Sequence, residues 1–178
     1  MIPSPLRQAW PGVLRLILAA ALVGVLSCPG YAASPKEGQM APRYEVTALD
    51  GRVVGSAALS GKVTLVHFWA TWCPPCREEM PALDKFYREH QRDGFEVVAI
   101  SIEDAADEGK VRDFVRQYAF PVAMKGAAEI DGFGRIWALP LSFLIDRKGV
   151  LRKANWTGQE KIDALLLDER VLPLLVKE

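Results

Sequence analysis

Val63-Thr64-Leu65-Val66-His67-Phe68-Trp69-Ala70-Thr71-Trp72-Cys73-Pro74-Pro75-Cys76-Arg77-Glu78-Glu79-Met80-Pro81 is the stretch that decides how this chain folds. Residues 63–70 are almost continuously apolar, the pattern of a strand buried on both faces. Arg77-Glu78-Glu79 then opens a helix, so the two cysteines fall at a strand-to-helix junction. Cysteines separated by two residues are close enough to close a small disulfide ring.

A thiol at the start of a helix is stabilised as thiolate by backbone donors and the helix dipole. Such a site lowers a cysteine pKa from about 8.5 into the range of roughly 3.5 to 7.5. Only the thiolate attacks a disulfide, which makes Cys73 the candidate nucleophile. Cys76 lies one turn further in and is the candidate resolving thiol, which releases substrate from the mixed disulfide. Pro74 and Pro75 suit the first turn, where a missing donor costs little, and they stiffen the ring. A purely structural disulfide closing so short a loop stabilises by only about 2 kcal/mol. A zinc site needs two more ligands, and His67 and His90 are the only histidines. Two unpaired thiols are the remaining bland possibility. The reading adopted is redox chemistry at Cys73 and Cys76, with no metal and no organic cofactor.

Outward from this stretch, strands and helices alternate. Residues 44–48 and 52–54 flank the turn signal Asp50-Gly51 and read as an N-terminal hairpin. Met80, Leu83, Phe86 and Tyr87 recur at helical spacing, with Pro81 expected to kink the helix and Gly94 to end the segment. Residues 95–102 read as a second buried strand. Val111, Phe114, Val115 and Tyr118 mark an amphipathic helix, and residues 121–124 a short strand. Residues 130–138 read as a short helix despite their glycines. Residues 142–145 and 150–153 form strands around the turn Asp146-Arg147-Lys148-Gly149, and Thr157 with Glu160 makes a capping-box pattern for a last helix. The sum is an α/β architecture: a central mixed sheet flanked by helices, with an N-terminal β-hairpin.

The chain has 178 residues and 22 basic against 22 acidic side chains, which excludes the basic excess of a nucleic-acid binder. Residues 1–33 have the layout of a secretory signal: Arg7 and Arg15, an apolar run from 16 to 27, then Gly30, Ala32 and Ala33. Cleavage comes first in preference, a retained membrane anchor through residues 10–28 second, and a lipid on Cys28 third. Cleavage leaves Cys73 and Cys76 as the only cysteines. Residues 34–42 read as a tether and residues 43–178 as one domain.

Residues 68–81 resemble the active-site stretch of the TlpA/ResA-like branch of the thioredoxin superfamily. Ala41-Pro42, Leu59-Ser60-Gly61-Lys62 and Leu139-Pro140-Leu141-Ser142-Phe143-Leu144-Ile145-Asp146 fit the same branch. The resemblance covers nearly everything after residue 38 and implies a thioredoxin-like fold. It implies that Pro140 is a cis-proline lying against the cysteine pair and that the backbone of Leu139 binds an extended substrate. It places Glu79 near the disulfide as a proton relay and Pro81 as a structural residue. His67 departs from the family, which carries Asp or Asn there; a histidine beneath Cys76 is either a proton partner of that thiol or a hydrogen-bonded core residue. Trp69 and Trp72 are expected as an apolar collar, with Trp72 contacting substrate, and Trp137 joins them or lies in the core. The implied activity is exported, periplasmic thiol:disulfide exchange, in the direction of reduction. Its partners are disulfide-containing clients, as in cytochrome c maturation, and a membrane electron donor of the DsbD/CcdA type. Two rivals are a peroxiredoxin-like peroxidase, whose threonine would stand three residues before the cysteine rather than two, and a copper chaperone, which would use Cys-x-x-x-Cys and a distant histidine.

Overall fold

A computed structural model describes residues 34–176. The expected leader at 1–33, with Cys28 and the alternative anchor at 10–28, lies outside the described residues. Seven strands form one mixed sheet in the order β2-β1-β5-β4-β3-β6-β7. They are β1 (Glu45–Ala48), β2 (Val53–Gly55), β3 (Val63–Trp69), β4 (Phe95–Ser101), β5 (Val122–Glu129), β6 (Leu141–Ile145) and β7 (Leu151–Thr157). β3 runs parallel to β4 and antiparallel to β6, so it is hydrogen-bonded on both edges. Its seven residues are all buried, which is why the sequence shows no alternation there.

Alternation still decides which face each β3 side chain meets. Leu65 and Trp69 point to the face covered by α1 (Pro74–His90), α2 (Glu108–Val115), α3 (Ala164–Arg170) and α4 (Leu172–Leu175). Val66 and Phe68 point to the other face, which is filled by Tyr44, Phe133 and Phe143. Phe133 sits within ring contact of all three aromatics, Tyr44, Phe68 and Phe143, on that face.

The expected N-terminal hairpin is present as β1 and β2. Two sequence expectations fail. The segment 130–138 is not a helix: only the 3₁₀ turn Asp131–Phe133 is regular, and Gly134 at φ 76° breaks any continuation. Phe133 is buried as an anchor, so apolar spacing there reflects a docked loop. The Thr157/Glu160 pattern caps nothing, since Thr157 ends β7. The last helices open instead at Asp163, whose carboxylate accepts the Leu166 N–H at 2.9 Å. Removing that cap in Asp163→Ala should cost about 1 kcal/mol, read by urea denaturation. The segment read as a tether is laid along β7: Gly38 N–H donates to the Leu151 carbonyl at 2.8 Å and Leu151 N–H to the Gln39 carbonyl at 2.9 Å. Pro81 lies inside α1, which continues through it to His90. Among the described residues no helix is long and apolar enough to cross a membrane.

Candidate active site

The sheet delivers the cysteines at the C-terminal end of β3. The chain turns at once, with Cys73 N–H donating to the Ala70 carbonyl at 3.2 Å. Cys73 is then the N-cap of α1, and its sulfur accepts the Cys76 N–H at 3.3 Å. Pro74 and Pro75 occupy first-turn positions, where an N–H would have no partner within the helix. Cys73 and Cys76 are joined by a disulfide, with an S–S distance of 2.05 Å. Cys73 is 4% exposed and Cys76 not at all. This places the expected nucleophile toward solvent and in the positive field of the helix terminus. The resolving sulfur lies behind it.

The pair opens onto a shallow cleft of about 420 Å³. Trp72, Cys73, Ile102, Ile136, Trp137 and Leu139 line it. Trp72 and Trp137 are each about 60% exposed, unusual for such large apolar side chains. Trp137 is therefore on the rim and not in the core. Trp69 is not part of the collar: it is fully buried and packs on Phe114 at 5.4 Å. The Leu139–Pro140 bond is cis. Pro140 lies beneath the cleft against Gly158, where an added Cβ would come 3.0 Å from the proline Cδ and 3.8 Å from Pro75. Gly158 lets the end of β7 approach both prolines, and the sequence reading overlooked it.

Glu79 and His67 lie below the cleft, not in it. Glu79 follows Cys76 by three positions on the buried face of α1. Its Oε1 accepts the Ile162 N–H at 3.0 Å, while Oε2 has no hydrogen-bond partner. Burial raises its pKa to about 7, against the opposing pull of the Ile162 N–H and Lys161. His67 shares the α1 side of β3 with Leu65 and Trp69. Its Nδ1 is 2.8 Å from the Ser142 hydroxyl and its Nε2 is unpartnered. Burial lowers its pKa to about 4, so the ring is neutral near pH 7 and brings no positive charge to a thiolate. Among the described residues no group of three or more His, Cys, Asp or Glu side chains could hold a metal ion.

One residue that sequence reasoning missed braces the cysteine turn. Glu103 is buried just beyond β4, and its Oε2 accepts the Thr71 N–H at 3.0 Å. The Thr71 hydroxyl donates to Oε1, and the Ser101 hydroxyl to Oε2 at 2.9 Å. Thr71 thus directs its hydroxyl to Glu103. The signal for this contact was the parallel register: each β3 residue pairs with the β4 residue 32 positions later, through Trp69 and Ser101. Continuing that offset by two residues brings Thr71 opposite Glu103.

Residues 38–154 match the model of the AhpC/TSA family. The thiol-disulfide oxidoreductase ResA of a Bacillus cereus strain is 35% identical over 142 residues, covering 77% of this chain and 81% of that protein. The sporulation thiol-disulfide oxidoreductase A of Bacillus subtilis is 28% identical, covering 75% and 84%. Among solved structures, a thioredoxin-family thiol:disulfide interchange protein from Chlorobium tepidum TLS superposes with a TM-score of 0.60 at 26% identity, covering 81% of this chain and all of that one. These likenesses extend well beyond the cysteine motif. The chain belongs to the AhpC/TSA family, within the thioredoxin-like ResA group, and is a thiol-disulfide oxidoreductase.

Proposed function

We propose that this oxidoreductase is exported and works in the reducing direction, taking electrons from a membrane donor of the DsbD/CcdA type and passing them to disulfides of client proteins, cytochrome c precursors among them. The observation that carries the direction is Glu79, a buried carboxyl three residues beyond Cys76 with a pKa near 7. A carboxylate in this position opposes a neighbouring thiolate and accepts the proton that a buried thiol must lose before it attacks.

The cycle follows from the placement of the two sulfurs. The Cys73 thiolate attacks one sulfur of the client disulfide, and the other client sulfur leaves and takes a proton. The client segment lies in the Trp72–Trp137 cleft, where the Leu139 backbone pairs with its extended chain. Cys76 then gives its proton to Glu79 and attacks Cys73 Sγ. The second client thiol departs and the Cys73–Cys76 disulfide remains. The membrane donor restores the dithiol by the same exchange in reverse. Export rests on the basic, apolar and small-residue sequence of residues 1–33.

Equilibration with glutathione tests the direction. The expected potential lies near the value of about −270 mV typical of thioredoxin, and a value near −120 mV, that of a strong oxidant, would overturn it. Fusing residues 1–33 to a reporter that is active only outside the cytoplasm tests export.

A further inference from the structure

We infer that Glu103 is a positioning residue of the redox centre: by pinning the turn that carries Trp72 and Cys73, it biases the cysteine pair toward the disulfide and keeps the protein reducing. The inference deepens the reductase reading and rests on it for the word reducing. The bias itself is a property of the pair.

The turn from Ala70 to Cys73 has one hydrogen bond of its own, from Cys73 N–H to the Ala70 carbonyl at 3.2 Å. Thr71, the residue after Ala70, sends both its N–H and its hydroxyl to the same carboxylate. That carboxylate is itself fixed. The Glu103 backbone N–H donates to the Ser101 hydroxyl at 3.2 Å, and that hydroxyl donates to Glu103 Oε2 at 2.9 Å. Next to it, Ile102 N–H donates to the Trp69 carbonyl at 3.0 Å. The turn is therefore tied to the end of β4 as well as to β3. A single side chain sets where the nucleophile and one wall of the cleft stand relative to α1.

Two physical effects act in the same direction. Closing the disulfide requires Cys73 and Cys76 to be held with their Cα atoms 5.3 Å apart. A pinned turn raises the effective concentration of one sulfur at the other, which favours the oxidised pair. The second effect is charge. The side chain of Glu103 is only 2% exposed, and the Lys110 ammonium stands 3.9 Å from it. Burial pushes its pKa up, but the hydrogen bonds from Thr71 and Ser101, with Lys110 behind them, outweigh that and hold it below the ordinary carboxylate value. A fixed negative charge bonded to Thr71, two residues before Cys73 in the chain, disfavours the reduced thiolate and leaves the neutral disulfide untouched.

The test is exchange with glutathione, in which two glutathione thiols reduce Cys73–Cys76 and leave as one glutathione disulfide. A residue that supports both redox forms equally changes the melting temperature and leaves this constant alone. Glu103→Ala should make the pair about tenfold easier to reduce, a shift of about 30 mV toward oxidising potentials for a two-electron couple. Glu103→Gln keeps an acceptor for the Thr71 N–H and loses the charge, so it should fall between wild type and Glu103→Ala. Thr71→Val removes one hydrogen bond from a turn at the surface end of the sheet and should shift the constant in the same direction by a smaller factor. It also reads the pin if Glu103→Ala does not fold. Unchanged constants in variants with lowered melting temperatures would reduce Glu103 to a structural residue and overturn the inference. So would equal shifts in Glu103→Gln and Glu103→Ala with none in Thr71→Val. The wild-type potential judges the reductase reading separately, because the inference depends only on differences from it.

Discussion

Cys76→Ser is expected to reduce turnover to the uncatalysed background and to leave Cys73 covalently joined to its substrate, whereas Cys73→Ser should lose turnover and capture nothing. The difference follows from geometry. Cys73 caps α1, accepts the Cys76 N–H and opens onto the cleft between Trp72 and Trp137. Cys76 is fully buried behind it. A client disulfide can reach the first sulfur and not the second, so Cys76 acts only on a sulfur already bonded to Cys73. A serine at position 76 fills nearly the same space but cannot displace a sulfur from the mixed disulfide, which therefore accumulates. The measurement is the mass of the chain after mixing with a disulfide peptide, without reductant: one adduct for Cys76→Ser, reversed by dithiothreitol, and none for Cys73→Ser. Equal adduct formation by the two variants would mean that both sulfurs are reachable and would remove the order of attack from the mechanism. The same Cys76→Ser chain, produced with its leader in a bacterial host, should carry its clients as adducts that mass spectrometry can identify.

Much of the scaffold behind this site is legible in the sequence because burial on both faces leaves a plain mark. Residues 63–70 and 95–102 are near-continuous apolar runs, and they become the paired strands β3 and β4 at the centre of the sheet. Asp50-Gly51 marks the hairpin by turn chemistry alone, with Gly51 at φ 86°. Asp146-Arg147-Lys148-Gly149 does the same between β6 and β7, where Asp146 accepts the Lys148 and Val150 N–H groups at 2.9 Å each. Misreadings arose where a short pattern was taken up by a different partner. Ile130, Phe133 and Ile136 have helical spacing, yet Phe133 is held by three aromatic rings of the core and the loop simply docks. Glu160 lies three residues after Thr157 as in a capping box, but its carboxylate pairs with Lys153 and Arg170 and its carbonyl accepts the Trp156 indole N–H.

The site divides along the same line. The cysteines were visible because two residues of spacing and a strand–helix boundary are local facts. Pro140 and Glu79 came from resemblance, and the structure adds the cis bond and the burial that their placement needs. Glu103 carries no local mark at all. Its partner is 32 residues away, and only the parallel pairing of β3 with β4 brings the two together. A single sequence shows strands more readily than it shows which strands are neighbours, and contacts across strand ends inherit that difficulty.

Glu79→Gln is the second substitution with a large expected effect, and it should alter activity and stability through one cause. Burial lifts the Glu79 pKa from 4.5 to about 7, so the folded protein holds this proton more tightly than the unfolded chain does. Stability from the neutral carboxyl is fully present below pH 4.5 and is lost as pH rises toward 7. For a shift of this size the loss approaches about 3 kcal/mol by pH 8. Glutamine keeps the acceptor for the Ile162 N–H but does not titrate, so Glu79→Gln should flatten the stability profile between pH 5 and 8. That is checked by denaturant unfolding of the oxidised protein at several pH values. The resolving step moves the other way. In the wild type, release of a peptide from a preformed Cys73 mixed disulfide should accelerate through pH 7 as the carboxylate forms and takes the Cys76 proton. Without that acceptor the thiol has no carboxylate to take its proton, and release at pH 7 should slow by about 10²-fold, the lower range for general-base catalysis. Rapid-mixing fluorescence follows the release directly. An inflection near pH 7 that survives in Glu79→Gln would assign the proton to another group and remove Glu79 from the resolving step. Loss of the inflection together with the flattened stability profile ties both to one carboxyl, because the same desolvation that costs stability at neutral pH holds the proton acceptor at the pH where the exchange runs.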